Sequence, residues 1–242
     1  GCQVKLIDGN RGRITVDEIS AAINPGDIHK APSRLVSLEN TSNRGGGSCY
    51  DIREIEKISE LCNREKLRLH LDGARLFNAL VARNETPVAY GKLFNSISIC
   101  LSKGLGAPVG SVLLGKTDFI QKARRIRKIM GGGMRQAGYL AAAGLYALQH
   151  HVNRLSEDQL HAQQIAEILR MQDFVKSVMP VETNIIIFEV NPSYTAAEIT
   201  EKLKEKGVLV YAISVNRVRM VLHLDITASM VAHTCSILTG LK

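Results

Sequence analysis

Apolar and polar residues alternate with period two at two places in this chain, and both stretches end in residues that could carry chemistry. Leu67, Leu69 and Leu71 interleave with Arg68, His70 and Asp72, while Ile97, Ile99 and Leu101 interleave with Ser96, Ser98 and Cys100. Such alternation sends successive side chains to opposite faces of a strand. The first run closes on Asp72-Gly73-Ala74-Arg75 and the second on Ser102-Lys103-Gly104-Leu105-Gly106. Val4 to Ile7 also reads as strand-like. Leu35 to Leu38 reads as a buried strand, followed by a polar, glycine-rich loop from Asn40 to Ser48.

Helical spacing appears between these runs. Ile52, Ile55, Ile58 and Leu61 recur near helical intervals. Thr15-Val16-Asp17-Glu18 is a capping box for a short helix that Asn24-Pro25-Gly26 ends. Helical patterns cover Asp118 to Met130, Met134 towards His150, and Leu155 to about Met171, with Gly131-Gly132-Gly133 between the first two. Beyond them come a strand (Asn184 to Val190), a helix (Ala196 to Lys206), two strands (Val208 to Ile213 and Arg217 to Leu224) and a final helix. The last strand puts Val218, Met220, Leu222 and Leu224 on one face and Arg219, Val221 and His223 on the other.

Strands alternating with helices predict βαβ units, hence an α/β fold with a mostly parallel sheet and helices on both faces. Ligands bind such sheets beyond the carboxyl ends of the strands, where Asp72 and Lys103 would both lie. A small α/β domain is expected to follow the larger one, with the boundary near His150 to Leu155.

Composition narrows the function. The 242 residues are 45% hydrophobic and 22% charged, as in ordinary globular proteins. Apolar runs such as Ile185 to Phe188 are far too short to cross a bilayer, so no membrane role is expected. The opening residues carry no charged-then-apolar signal pattern, so secretion is not expected. Lys plus Arg is 31 against 23 Asp plus Glu, giving +8, and much of that surplus sits in Lys122 to Lys128. Aromatic residues are only 5%, with no tryptophan, so no nucleic-acid partner is expected. The five scattered cysteines include no C-x-x-C pair, which predicts neither a metal site nor a disulfide framework and points to a reducing, cytoplasmic setting.

Lys103 could form a Schiff base with a carbonyl compound, and the flanking glycines would let the backbone approach a bulky bound group. A solvated lysine in a turn is the plain alternative. Asp72 could pair with a protonated pyridine nitrogen, and Arg75 could grip a carboxylate as a bidentate fork. An internal Asp72–Arg75 ion pair is the competing reading.

Four blocks together are more specific. Leu69 to Ala79, Cys100 to Ser111, Gly131-Gly132-Gly133-Met134-Arg135-Gln136 and Val218 to Asp225 resemble, in order, those of the low-specificity threonine aldolases. These are pyridoxal-phosphate (PLP) enzymes of fold type I, near the β-eliminating lyases. The resemblance implies that residues 1–150 are part of a large PLP-binding domain and 151–242 a small one. Lys103 would hold PLP as a Schiff base and Asp72 would pair with its ring nitrogen. Arg75 and Arg219 would grip the carboxylate of a small β-hydroxy amino acid. His29, in Asp27-Ile28-His29, would stand near the substrate hydroxyl and accept its proton, although a surface loop histidine is an equal reading. Lys128 and Arg135 match family residues near the active site, where they would help to hold phosphate or substrate or lie across a subunit contact. A homo-oligomer, dimer or tetramer, is implied as well.

On that resemblance the expected reaction is cleavage of threonine or allo-threonine to glycine and acetaldehyde. A β-eliminating lyase releasing pyruvate and ammonia is one alternative, and a non-catalytic scaffold is another. The chain departs from the family in two places. Glu39-Asn40-Thr41 is followed by Ser42 where the family usually has histidine, which puts substrate preference in question. No glycine-rich phosphate cradle precedes Asp72 unless Gly45-Gly46-Gly47 serves, so an upstream segment carrying the cradle is expected to be missing.

Overall fold

The computed structural model describes residues 1–241. After the opening stretch, α1 (Val16–Ala22) begins at Thr15, whose hydroxyl accepts from the Glu18 amide while the Glu18 carboxylate accepts from the Thr15 amide. There follow β1 (Leu35–Glu39), α2 (Ile52–Arg64), β2 (Arg68–Gly73), α3 (Leu76–Arg83), α4 (Pro87–Leu93), β3 (Ser96–Cys100) and β4 (Ser111–Gly115). Next come α5 (Thr117–Ile129), α6 (Gly138–His150), α7 (Leu155–Arg170), β5 (Val175–Val178) and β6 (Ile185–Val190). The chain ends with α8 (Ala196–Glu205), β7 (Tyr211–Ala212), β8 (Arg217–Val221) and α9 (Ala228–Thr239).

Two sheets organise these elements. The first runs β1-β2-β3-β4, with β1, β2 and β3 parallel and β4 antiparallel to β3. Register places Glu39, Asp72 and Ser98 side by side, so the carboxyl ends of three strands open on one rim. Leu38, Leu69, Leu71 and Ile97 bury their faces against Ile55, Ile58 and Leu61 of α2 and Tyr90 of α4. Burial of each such leucine or isoleucine contributes about 1.5–3 kcal/mol. The period-two reading of β2 therefore holds, with Leu69 and Leu71 inside and Arg68 and Asp72 exposed.

The second sheet is antiparallel throughout, in the order β5-β6-β8-β7. Ile186, Phe188, Val218, Met220 and Leu222 form its core with Ile165 and Leu169 of α7, Ile199 of α8, and Val231 and Leu238 of α9.

Several expectations need correction. Val4 to Ile7 forms no strand, because it pairs with nothing and leaves Val4 and Leu6 exposed. The strand expected at Val208 to Ile213 shrinks to the two residues of β7. The last strand stops at Val221, so Leu224 leaves the core and turns towards the cleft between the sheets. The patterns had not separated α3, α4, β4 or β5. All of β4 is exposed and α5 has no buried residue, so this face is uncovered by the described residues.

Candidate active site

The turn after β3 is anchored on both sides of its lysine. Leu101, Leu105 and Ala107 are buried in a small cluster with Ala147 of α6 and Leu155 of α7, whereas Ser102 and Lys103 are exposed. His151 Nδ1 lies 2.7 Å from the Leu105 carbonyl and ties the turn to the end of α6. Gly106 has φ +73°, and a Cβ there would come 2.7 Å from Leu224, so glycine suits both the backbone and the close approach. With its apolar neighbours drawn inward, Lys103 is left on the cleft side.

Asp72, next to last in β2, is exposed, with one carboxylate oxygen accepting from the Ala74 amide at 3.1 Å. Arg75 follows at the start of α3, half-buried. Burial, and then the like charge of Arg219, push its pKa below the usual arginine value, with Glu39 and Asp72 opposing. Arg219 reaches over from β8. Its Nη1 donates to Asn43 Oδ1 at 3.1 Å, but its Nε is buried without an acceptor.

Arg75 and Lys103 line a common cleft of about 370 Å³, within the range of small-molecule sites. Ser102, Gly104 and Gly106 share that wall, while Asn184, His223 and Asp225 approach from the second sheet. His223 Nδ1 is 3.4 Å from the Asp225 carboxylate. The structure thus brings Lys103 and Arg75 into one cleft and sets Arg219 and Asp72 within electrostatic reach of Arg75.

It does not bring the other candidates there. His29 sits in an exposed loop, its amide donating to Asp27 Oδ1 at 2.8 Å. Lys128 near the end of α5 and Arg135 in the loop after it are exposed and outside the cleft lining. Ser42 is buried and turned away, its hydroxyl accepting from the Gly45 amide and pressed against Gly12.

Gly45-Gly46-Gly47 is not a free cradle, because it is packed against Arg11 and Thr183. A Cβ on Gly45 would meet the Arg11 carbonyl at 1.9 Å, and one on Gly47 would meet Thr183 Oγ1 at 2.3 Å. Local pattern does not mark Asn43, Asn184 or Asp225 as site residues, and His223 stands out only as a polar residue on a strand face; the pairing of distant segments brings Asn184, His223 and Asp225 to the cleft and Asn43 to Arg219.

The chain matches the model of the beta-eliminating lyase family over residues 1–193. Low-specificity L-threonine aldolase 1 of Arabidopsis thaliana is 41% identical over 230 residues, covering 93% of this chain and 64% of that protein. The low specificity L-threonine aldolase of Escherichia coli (strain K12) is 42% identical over 225 residues, covering 93% and 65%. The chain therefore spans just under two thirds of the length of these two relatives.

Among solved structures, Leishmania major threonine aldolase superposes with a TM-score of 0.81 at 21% identity, covering 96% of this chain and 68% of that one. Plasmodium falciparum ornithine delta-aminotransferase gives a TM-score of 0.61 at 16% identity, covering 86% and 55%. These likenesses show the fold, that of fold type I PLP enzymes. Since the matched span contains both strand ends and the lysine turn, the chain belongs to the beta-eliminating lyase family.

Proposed function

We propose that this protein is a PLP-dependent aldolase that cleaves L-threonine or L-allo-threonine between Cα and Cβ, giving glycine and acetaldehyde. One observation carries the reading: the Lys103 amine and the Arg75 guanidinium share the cleft, and the charge of Arg219, whose Nε lacks an acceptor, is felt at Arg75. Two half-buried cations within electrostatic reach of each other favour an anion near both, and an amino-acid carboxylate can accept from guanidinium donors. Relatives named as threonine aldolases supply the substrate class.

The donor set fits PLP at two of its ends. Lys103 would hold its carbonyl carbon, and Asp72 would hold the protonated ring nitrogen. Arg135 and Lys128 lie outside this cleft and are proposed to meet phosphate or substrate across a subunit contact, since the Gly45 to Gly47 turn is packed. When bound, the cofactor supplies a sink for the electron pair left on Cα as the Cα–Cβ bond breaks.

Everything else falls to the chain's own residues. Arg75 and Arg219 hold the carboxylate and so fix the breaking bond at the angle to the ring that cleavage needs. The hydroxyl proton needs a base. His29 takes that role if a homo-oligomer, dimer or tetramer, brings its loop to a cleft, whereas His223 already lines the cleft. The exposed apolar Val112, Leu113, Leu114, Ile126 and Ile129 support such an assembly.

In this reading residues 1–150 belong to the PLP-binding domain and 151–242 to the small domain. The cysteines, all free, support a cytoplasmic setting. Among the described residues no helix is long and apolar enough to cross a membrane.

Product analysis tests the proposal. Supplied with PLP and L-threonine, the whole protein should release glycine and acetaldehyde in equal amounts. A 2-oxo acid and ammonia would instead mark a β-eliminating lyase, and no product from PLP-loaded protein would mark a scaffold.

A further inference from the structure

Between β5 and β6, Glu182 is gripped by three arginines from the other side of the molecule. Its Oε1 accepts from Arg11 Nη1 at 2.6 Å, with Arg13 Nη1 at 3.7 Å. Its Oε2 accepts from Arg83 Nη2 at 2.7 Å and from the Cys49 amide at 3.1 Å. The carboxylate is only 19% exposed. Arg11 spreads further, donating through Nε to the Gly45 carbonyl at 2.9 Å and through Nη2 to the Pro180 carbonyl at 2.7 Å. Next along the chain, Thr183 Oγ1 donates to the Gly47 carbonyl at 2.9 Å, and the glycines at 45 and 47 are what allow the two segments to meet.

This cluster is continuous with the cleft. Asn184, the following residue, lines it and holds Leu222 twice: the Leu222 amide donates to the Asn184 carbonyl at 2.9 Å, and Asn184 Nδ2 donates to the Leu222 carbonyl at 2.8 Å. Leu222 directly follows β8, which carries Arg219. Arg219 in turn donates to Asn43, in the same 42–49 loop that Arg11 and Thr183 hold. The contacts close a ring from Glu182 through Asn184 and Arg219 to the loop and back.

We infer that Glu182 is a positioning residue: by locking the second sheet onto the Asn43 to Cys49 loop, it holds Arg219 on Asn43, the place from which Arg219 would grip a substrate carboxylate. This rests on the reading of Arg75 and Arg219 as the carboxylate grip. One carboxylate neutralises only part of three guanidiniums, so losing its charge leaves three cations repelling one another at the seam. Glu182→Gln keeps the shape and removes the charge. The seam should then loosen while Lys103, on the opposite wall, stays in place.

The test is a double-mutant cycle in the PLP-loaded whole protein, with glycine affinity read by calorimetric titration. Glu182→Gln should weaken glycine about tenfold, raise KM for threonine and lower kcat by a smaller factor, and Glu182→Asp should recover part of the loss. Hydrogen exchange should rise at residues 42–49 and 179–185. In an Arg219→Met background, Glu182→Gln should add almost nothing, because its effect passes through Arg219. Arg83→Ala, which removes the most exposed of the three arginines, should act in the same direction but less, and serves if Glu182→Gln does not fold.

Unchanged glycine affinity in both variants, or a full additive loss in the Arg219→Met background, would overturn the positioning role. Wild-type protein that carries PLP yet binds no glycine would overturn the reading of the cleft, and the positioning role with it.

Discussion

Arg75 and Arg219 stand close enough, one at the start of α3 and the other on β8, for the charge of Arg219 to help depress the pKa of Arg75. Half-buried like charges near one another cost free energy, and a bound anion would offset that cost. Removing one therefore tests the anion. Arg219→Met should lower kcat/KM for threonine about 100-fold, a loss of roughly 3 kcal/mol for a charged group at a partly buried ligand. Arg219→Lys should recover only part of it, since an ammonium cannot reproduce the fork.

Gly45 and Gly47 predict a contrast in stability. A methyl at 45 meets a backbone carbonyl at 1.9 Å, whereas one at 47 meets a side-chain hydroxyl at 2.3 Å with φ +71°. Gly45→Ala should cost about 3 kcal/mol or more, and Gly47→Ala about 1–3 kcal/mol. Urea midpoints of the two variants give the comparison.

Burial raises the Cys49 thiol to about 12 and the Cys62 thiol to about 11, and the Tyr50 hydroxyl to about 12. Groups whose folded pKa is raised stabilise the fold below their unfolded value and lose that contribution as pH climbs towards the folded value. Stability should thus hold to about pH 9 and fall between there and about pH 12. Urea unfolding at several pH values gives the slope. At pH 8, iodoacetamide should alkylate exposed Cys2 and spare Cys49 and Cys62 until the protein is unfolded.

Asp158, fully buried on α7, accepts from Arg154 at 2.7 Å, and burial raises its pKa despite that partner. Arg154→Leu should destabilise the protein by about 3 kcal/mol at neutral pH by stranding the carboxylate. Because the folded pKa is raised, the cost should shrink as pH falls and the carboxyl takes up a proton. Thermal melts at pH 4.5 and pH 7.5 would show the difference.

Local pattern made part of this molecule legible. The alternation ending at Asp72 and Lys103 located both strand ends, because a half-buried strand imprints its two faces on its own sequence. Arg219 was placed on the polar face of its strand for the same reason. The seam was not legible: Arg11 and Glu182 are 171 positions apart, and nothing near either announces the other. Gly45 to Gly47 reads only as a polar, glycine-rich loop, and nothing in it announces the close approach of Thr183 and Arg11 that the glycines allow. Leu224 continued an apolar alternation after the strand itself had ended, so periodicity alone sent it to the wrong side.

Lys103 is the residue proposed to carry the cofactor. The protein should be mixed with PLP, its absorbance recorded, the adduct reduced with borohydride, and the modified lysine mapped by mass spectrometry. PLP held by Lys103 should give a visible absorbance band lost on reduction and a single modified peptide bearing Lys103. Labelling spread over exposed lysines such as Lys122 and Lys128 with Lys103 unmodified, in the whole protein as well as in this chain, would contradict it.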